Sequence, residues 1–476
     1  MNTEAAAKTL RLPAIRLSAG RRQVDMRAVI ALALPLVANS SVQALLNLTD
    51  TWFVGRLSAD AVAAVGAVYW LTIVAILLLG GASLAVQTFV AQAYGGGDSR
   101  RAARVAWNGL WAVMLTAPAF VLLAFAGDVL IRPFGLTEEI HSRTIEYWFP
   151  RMLGGPFALA VWALTGFFNG IGRSKVTLAV VSFSAVLNAI LNQIFIFELG
   201  WGVAGAAWAT TAALLATALV TAALLASRAL DREFSSRAGL KPDPRLVMSL
   251  LSVGLPMGIF PAIDVGALAM FQLMQSGIGA VGGAASQIVL MLTSIAYMPT
   301  IGFALAGTTL VGQSIGAGDR DWAARLGNAI IVLCVCYMGC VSVFLALAGP
   351  WLLPHFINPG DAHSGQVIAL GRTLLWFAAG YQIFDGLNLG AQFCLRGTGD
   401  MRVPVVMIVG LAWFGFVPLA HMLIFPDGAG WVGFLPQFGL GAVGGWAAAL
   451  VYTAALGTMI FLRWRSGAWR RMVLPR

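Results

Sequence analysis

Val90-Ala91-Gln92-Ala93-Tyr94-Gly95-Gly96-Gly97-Asp98 reads against Val311-Gly312-Gln313-Ser314-Ile315-Gly316-Ala317-Gly318-Asp319. The same spacing aligns Ala102-Ala103-Arg104 with Ala323-Ala324-Arg325, Leu34-Pro35 with Leu255-Pro256, and Leu71-Thr72 with Leu292-Thr293. That register runs without a gap, which chance does not give. Further on the match weakens but persists: Gly170-Ile171-Gly172 faces Gly397-Thr398-Gly399, and Gly200, Gly202 and Gly205 face Gly439, Gly441 and Gly444. The chain is a unit repeated twice, so its fold follows from what one unit can be.

Composition restricts that unit to the membrane. The 476 residues are 59% hydrophobic and only 11% charged, with a mean hydropathy of +0.83, whereas a soluble domain carries about 25% charged residues. Twelve apolar stretches reach or approach the roughly 20 residues that cross a bilayer core as helix. They lie near Val29–Phe53, Val62–Val90, Val105–Ala126, Met152–Phe168, Val176–Phe197, Val203–Ala226, Val247–Met274, Ala284–Val311, Ala329–Ala348, Leu370–Phe393, Val403–Phe425 and Ala442–Leu462. The expected fold is an all-α membrane protein of 12 transmembrane helices. Six spans per repeat return the second half to its starting side, so the halves share one orientation and form two six-helix lobes about a pseudo-twofold axis along the membrane normal.

The net charge of +10, from 30 Lys plus Arg against 20 Asp plus Glu, is a topology signal rather than a nucleic-acid footprint. The amino-terminal arm (Lys8, Arg11, Arg16, Arg21, Arg22, Arg27) and the tail (Arg463, Arg465, Arg470, Arg471, Arg476) fall on one side. So do Arg100, Arg101, Arg104, Arg173, Lys175, Arg228, Arg232, Arg237, Lys241, Arg245, Arg320, Arg325, Arg396 and Arg402. Only Arg56, Arg132, Arg143, Arg151 and Arg372 fall on the other. By the positive-inside rule the basic side is cytoplasmic, with both termini there and the protein in a cell (inner) membrane. The basic start followed by an apolar run has the form of a secretory signal, but the repeat includes that run and argues against its cleavage. The expected organisation is a basic arm over 1–27, an N-lobe over 28–226, a proline-containing charged linker over 227–246, a C-lobe over 247–462 and a basic tail over 463–476.

Three further stretches carry a family resemblance: Asn47-Leu48-Thr49-Asp50-Thr51-Trp52-Phe53-Val54-Gly55 after Leu34-Pro35; Val186-Leu187-Asn188-Ala189-Ile190-Leu191-Asn192 with Gly205-Ala206-Ala207-Trp208-Ala209-Thr210; and Tyr381-Gln382-Ile383-Phe384-Asp385 ahead of Cys394-Leu395-Arg396-Gly397-Thr398-Gly399-Asp400. Together with Asp264, eight residues after Pro256, they resemble the multidrug and toxic compound extrusion (MATE) transporters over nearly the whole chain. The resemblance implies an N-lobe cation or proton site at Asp50, Asn188, Asn192 and Thr210, and a C-lobe sodium site at Asp264, Tyr381 and Asp385. Some members carry an aspartate where this chain has Asn192, so a two-carboxylate proton relay is not expected in this N-lobe.

The residues themselves support those positions. An ionisable side chain inside a span costs about 2.5 kcal/mol or more and marks function by default; Asp50, Asp264 and Asp385 are the three acids well inside. Asn39, Gln43 and Asn47 recur at four-residue spacing ahead of Asp50 and put a polar stripe on one helix face. Asn188 with Asn192, and Tyr381 with Asp385, are likewise four apart. Two carboxylates near a phenol in low dielectric either hold a cation or share a proton. Against this stand a purely structural network of interhelical hydrogen bonds and a neutralising contact from Arg372 to Asp385. Pro35 and Pro256, with Pro261 and Pro299, free backbone carbonyls or allow helix bending.

Other features carry no chemistry of their own. The glycine-rich turns lack the Gly-Lys-Ser/Thr ending of a phosphate loop. Cys334, Cys336 and Cys340 have no histidine at ligand spacing and read as small apolar residues. His141, His355, His363 and His421 are scattered. No cofactor or metal is expected beyond the coupling ion, Na⁺ or H⁺. The 16 Trp and 27 Phe are mostly membrane-belt and packing residues, and any that face the cavity would suit flat cations through their π faces. The expectation is a secondary active antiporter, not an enzyme, that exports organic cations as a functional monomer among membrane lipids, with Na⁺ favoured by the resemblance. A lipid-linked precursor flippase is the nearest alternative; it calls for basic residues in its cavity. A membrane-embedded enzyme would need a clustered constellation, for which the Glu138, Glu139, His141, Arg143 loop is the best candidate.

Overall fold

The repeat register reappears as helix ends. In the computed structural model, which describes residues 12–18, 21–357 and 363–475, the second-span helices run Ala59–Leu79 (α2) and Gly81–Gly95 (α3), while the eighth-span helix (α12) runs Ala280–Gly316. Both ends of this pair are offset by 221 residues (59 to 280, 95 to 316), as are Val90 and Val311. Lys8, Arg11 and Arg476 of the basic arm and tail lie outside the described residues.

The remaining spans follow in chain order. Before α2 comes α1 (Met26–Gly55). After α3 come α4 (Ser99–Phe125), a short α5 (Gly127–Ile131), α6 (Glu138–Leu153) with α7 (Gly155–Gly170), α8 (Ser174–Asn192) extended by a π-helical turn Gln193–Glu198, and α9 (Gly202–Leu225). The linker folds as α10 (Arg228–Phe234) and a 3-10 turn Ser236–Leu240, fastened to α4 where the Trp111 indole donates to the Leu240 carbonyl at 3.0 Å. Then come α11 (Pro244–Gly277), α12, α13 (Arg320–Leu352), α14 (Ser364–Thr398), α15 (Arg402–Val409) joined by a π-helical segment to α16 (Val417–Ile424), and α17 (Gly441–Arg465). Among the described residues eleven helices are long and apolar enough to cross a membrane, or twelve if the α6/α7 pair, bent by 41°, is one broken span. The protein is an all-α membrane protein of about 12 spans.

The helices overrun their apolar stretches because polar residues cap them. Asp98 accepts from the Arg101 amide at 2.9 Å at the start of α4, and its repeat partner Asp319 accepts from the Trp322 amide at 2.8 Å at the start of α13. Such caps stabilise a helix start by about 1 kcal/mol. Both α1 and α11 run unbroken through Pro35 and Pro256. A β-hairpin, Ile15–Ser18 (β1) with Arg21–Val24 (β2), precedes α1 and is tied to the basic end of α13 by Arg22, whose Nη1 lies 2.9 Å from Asp319.

The two halves meet in reciprocal pairs on the basic end. Thr88 of α3 donates to the carbonyl of Arg396 on α14 at 2.9 Å; its partner Thr309 of α12 donates to the carbonyl of Asn169 on α7 at 2.9 Å. Gln92 donates to the Gly397 carbonyl at 3.0 Å and Gln313 to the Gly170 carbonyl at 2.8 Å. Between them α3 and α12 cross with backbones in contact: a Cβ on Gly95 would collide with the Gln313 carbonyl, and one on Gly316 with the Gln92 carbonyl. Only glycine permits that approach.

Candidate functional site

Beyond this seam the halves part around a cavity of about 1370 Å³, bounded by α1–α3, α6–α9, α11, α12 and α14. It reaches Val54 and Val62 at the far end and Gln87, Asn169 and Arg396 at the seam. The interlobe hydrogen bonds between described residues, such as those of Thr88, Gln92, Thr309 and Gln313, all fall in the basic half. The molecule is closed at its basic end. The wall is largely apolar, with Tyr69, Tyr147, Trp162, Phe260, Tyr297 and Phe393 among its aromatics.

On the N-lobe side the four expected residues form one hydrogen-bonded chain. Thr210 accepts from Asn188 Nδ2 at 3.2 Å, Asn188 Oδ1 accepts from Asn192 Nδ2 at 3.1 Å, and the same Nδ2 donates to Asp50 Oδ1 at 2.6 Å. The order follows from helix geometry: Asn188 and Asn192 lie one turn apart on α8, which packs between α1 and α9. Asn188 and Asn192 are fully buried, and the Asn192 Oδ1 has no partner. A buried amide oxygen without a donor can accept a hydrogen bond or coordinate a cation.

The C-lobe acids sit deeper. Asp264 of α11 lines the cavity and accepts from the Tyr452 hydroxyl of α17 at 3.0 Å. Asp385 of α14 is 4% exposed, lies in charge range of Asp264, and accepts from Asn388 Nδ2 at 3.4 Å. Its Oδ2 and the Asn388 Oδ1 have no donor. Tyr381 lies within charge range of both acids but packs edge-on against Trp446, with ring centroids 6.4 Å apart. Arg372 is exposed and does not neutralise Asp385. Sequence reading missed Tyr297, Asn388 and Tyr452. Spacing could have found Asn388, one turn beyond Asp385; nothing local signals Tyr452, which α17 brings from 188 residues away.

Two arginines fall elsewhere than expected. Arg151, assigned to an outer connection, lines the cavity in charge range of Asp50, because α6 is helical from Glu138 and carries it inward. Arg396, assigned to a basic connection, is 8% exposed and lines the cavity beside the seam, because α14 continues to Thr398. The cavity therefore holds acids and bases together. The Glu138–Arg143 stretch is not a loop but the start of α6, where Glu139 and Arg143 pair across one turn at 2.7 Å. Among the described residues no three His, Cys, Asp or Glu side chains gather as a metal centre requires.

Comparison with known proteins agrees with this architecture. The MatE family profile matches residues 35–194 and 261–420, one block in each repeat. A probable multidrug resistance protein NorM of Burkholderia pseudomallei is 32% identical over 441 residues, covering 91% of each chain. Its counterpart in Pseudomonas aeruginosa is 30% identical over 459 residues, covering 93% of this chain and 90% of its own. A solved structure described as the outward-facing conformation of a multidrug resistance MATE family transporter superimposes with a TM-score of 0.80 at 22% identity, over 93% of this chain and 96% of that one. A repeated six-span unit, a central cavity closed at one end and a family match in both halves make this chain a member of the MATE transporter family, and not an enzyme.

Proposed function

We propose that the protein exports amphipathic organic cations from the cell in exchange for inward Na⁺ or H⁺. The basic end, with both chain termini, faces the cytoplasm in the inner membrane, so the described state opens outward. The multidrug resistance names of the NorM relatives support multidrug efflux. The coupling reading rests chiefly on one observation: each half holds a carboxylate beside buried oxygens that lack donors, namely Asp50 with Asn192 Oδ1, and Asp385 Oδ2 with Asn388 Oδ1. Oxygen-only sets of this kind suit a hard cation, and a protonated Asp385 would equally satisfy them. Asp264, open to the cavity, is the acid an organic cation meets, and the aromatic wall holds its flat body. A functional monomer suffices, because both halves of the pathway lie in one chain.

Cargo and coupling ion alternate because Asp264, which meets the cargo, lies in charge range of the buried Asp385, so a cation held at one carboxylate weakens the hold of the other on its own. The test is ethidium uptake into inverted vesicles under an imposed Na⁺ gradient or an imposed pH gradient. Uptake driven by either supports the reading; uptake driven by neither contradicts it. The second outcome would favour a flippase for lipid-linked anions, a reading to which Arg151 and Arg396 on the cavity wall lend support.

A further inference from the structure

Arg396 reaches across the seam to α3 through a hydrogen bond from Nη2 to the Leu84 carbonyl, but among the described residues no contact neutralises its charge. Its backbone carbonyl takes the Thr88 hydrogen bond, but the equivalent carbonyl in the other half belongs to Asn169, a neutral residue, and takes the Thr309 hydrogen bond at the same 2.9 Å. The seam thus closes in one half around a guanidinium and in the other without one. The side chain donates from Nη2 to the Leu84 carbonyl at 2.9 Å and lies over the Phe393 ring, 5.4 Å from its centroid. Its Nε is buried without a partner, and among the described residues no carboxylate pairs with it. A guanidinium carries five N–H donors in a fixed fork, and a buried charge left uncompensated is strongly destabilising. Here the fork borders the cavity, walled by Gln87, Asn169 and Phe393.

We propose that Arg396 is an anion subsite on the cavity floor that receives the carboxylate of zwitterionic cargo. The residue then sets how tightly cargo that carries both a cation and a carboxylate is held. Arg396 follows Asp385 by eleven residues on α14, about 16 Å along the helix; Asp385 backs the cavity acid Asp264, so the acidic pole of the cavity is set apart from the basic pole at its floor. A planar carboxylate matches the guanidinium fork two bonds at a time. Arg151, the other cavity arginine, faces Asp50 and is offset by that charge; Arg396 has no such neighbour. The proposal rests on the export reading above.

The test uses a matched pair of dyes: rhodamine 110, which bears a free benzoate, and rhodamine 123, its methyl ester. Uptake is measured in inverted vesicles of wild-type protein, Arg396→Gln and Arg396→Lys under whichever gradient drives transport. The wild type should take up both dyes, with a KM for the acid no higher than for the ester. Losing charge-assisted hydrogen bonds in Arg396→Gln should raise the KM for rhodamine 110 roughly tenfold to hundredfold, leave rhodamine 123 within about threefold, and be partly reversed in Arg396→Lys. Equal loss of both dyes in a monodisperse Arg396→Gln protein would assign the residue a structural role and overturn the subsite. A wild type that carries the ester and refuses the acid would overturn it while leaving export standing. A wild type that carries neither dye contradicts export itself. Should Arg396→Gln fail to fold, the wild-type comparison of the two dyes decides.

Discussion

Gln92 and Gln313 stand at equivalent positions of the repeat, and each donates its side-chain amide to a backbone carbonyl of the opposite half, at 3.0 Å to Gly397 and 2.8 Å to Gly170. The closed end of the cavity is therefore a two-fold device that opens only if both bonds break. Interhelical hydrogen bonds in membranes contribute about 0.6 kcal/mol each, up to about 1.7. Replacing both glutamines by Ala should shift the balance toward the basic-end-open state by roughly sevenfold or more. The readout is labelling of a cysteine placed at Ser83, on the cavity wall, by an impermeant maleimide from the basic side, in a background without native cysteines. Labelling unchanged from the single-cysteine parent would show that the glutamines do not hold the gate.

Asp50→Asn keeps an oxygen that can accept from Asn192 and removes only the charge. Membrane insertion and folding should survive while cargo efflux falls at least about tenfold, as expected when an intramembrane charge is functional rather than structural. Efflux at the wild-type rate would remove Asp50 from the mechanism.

Asp385→Asn should act on the ion more than on the cargo, because Asp385 is buried behind Asp264 and does not border the cavity. The concentration of coupling ion at half-maximal transport should rise about tenfold, the loss of one charge-assisted interaction, with a cargo KM changed by less than about threefold. The reverse pattern would place Asp385 in the cargo site.

Glu138→Gln with Glu139→Gln should leave transport intact. Arg143 pairs with Glu139 on an exposed helix face, where such pairs contribute about 0.3–0.5 kcal/mol. A loss of activity in vesicles would revive the outer acidic cluster as a functional site.

Gly316→Leu should destabilise the protein by about 1–3 kcal/mol or force the halves apart, since the new side chain meets the Gln92 carbonyl at a backbone crossing with no room to yield. A thermal-shift assay in detergent that showed no change would mean the crossing is looser than described.

Much of this was legible in the sequence because membrane physics writes in long signals. Hydropathy gave the spans, the repeat gave their pairing, and the family resemblance, supported by the intramembrane Asp50 and the Asn188/Asn192 spacing, named the N-lobe residues from Thr210 to Asp50. The helix ends were less legible: Asp98 and Asp319 extend α4 and α13 past the apolar residues, and α14 carries Arg396 beyond the stretch that hydropathy marks. That is why two cavity arginines were read as loop charges. Tyr452 and Tyr297 could not have been assigned at all, because what brings them to Asp264 and Asp385 is tertiary packing of α17 and α12, which no local pattern encodes.

Exchange itself is tested most directly without any imposed ion gradient. Vesicles loaded on one side with ethidium, and containing ²²Na⁺ or a pH-reporting dye, are followed as the ethidium runs down its own gradient. The account predicts opposed movement of Na⁺ or H⁺ that stops when ethidium is omitted and is weakened in Asp385→Asn. Ethidium that crosses with no opposed ion movement would contradict it.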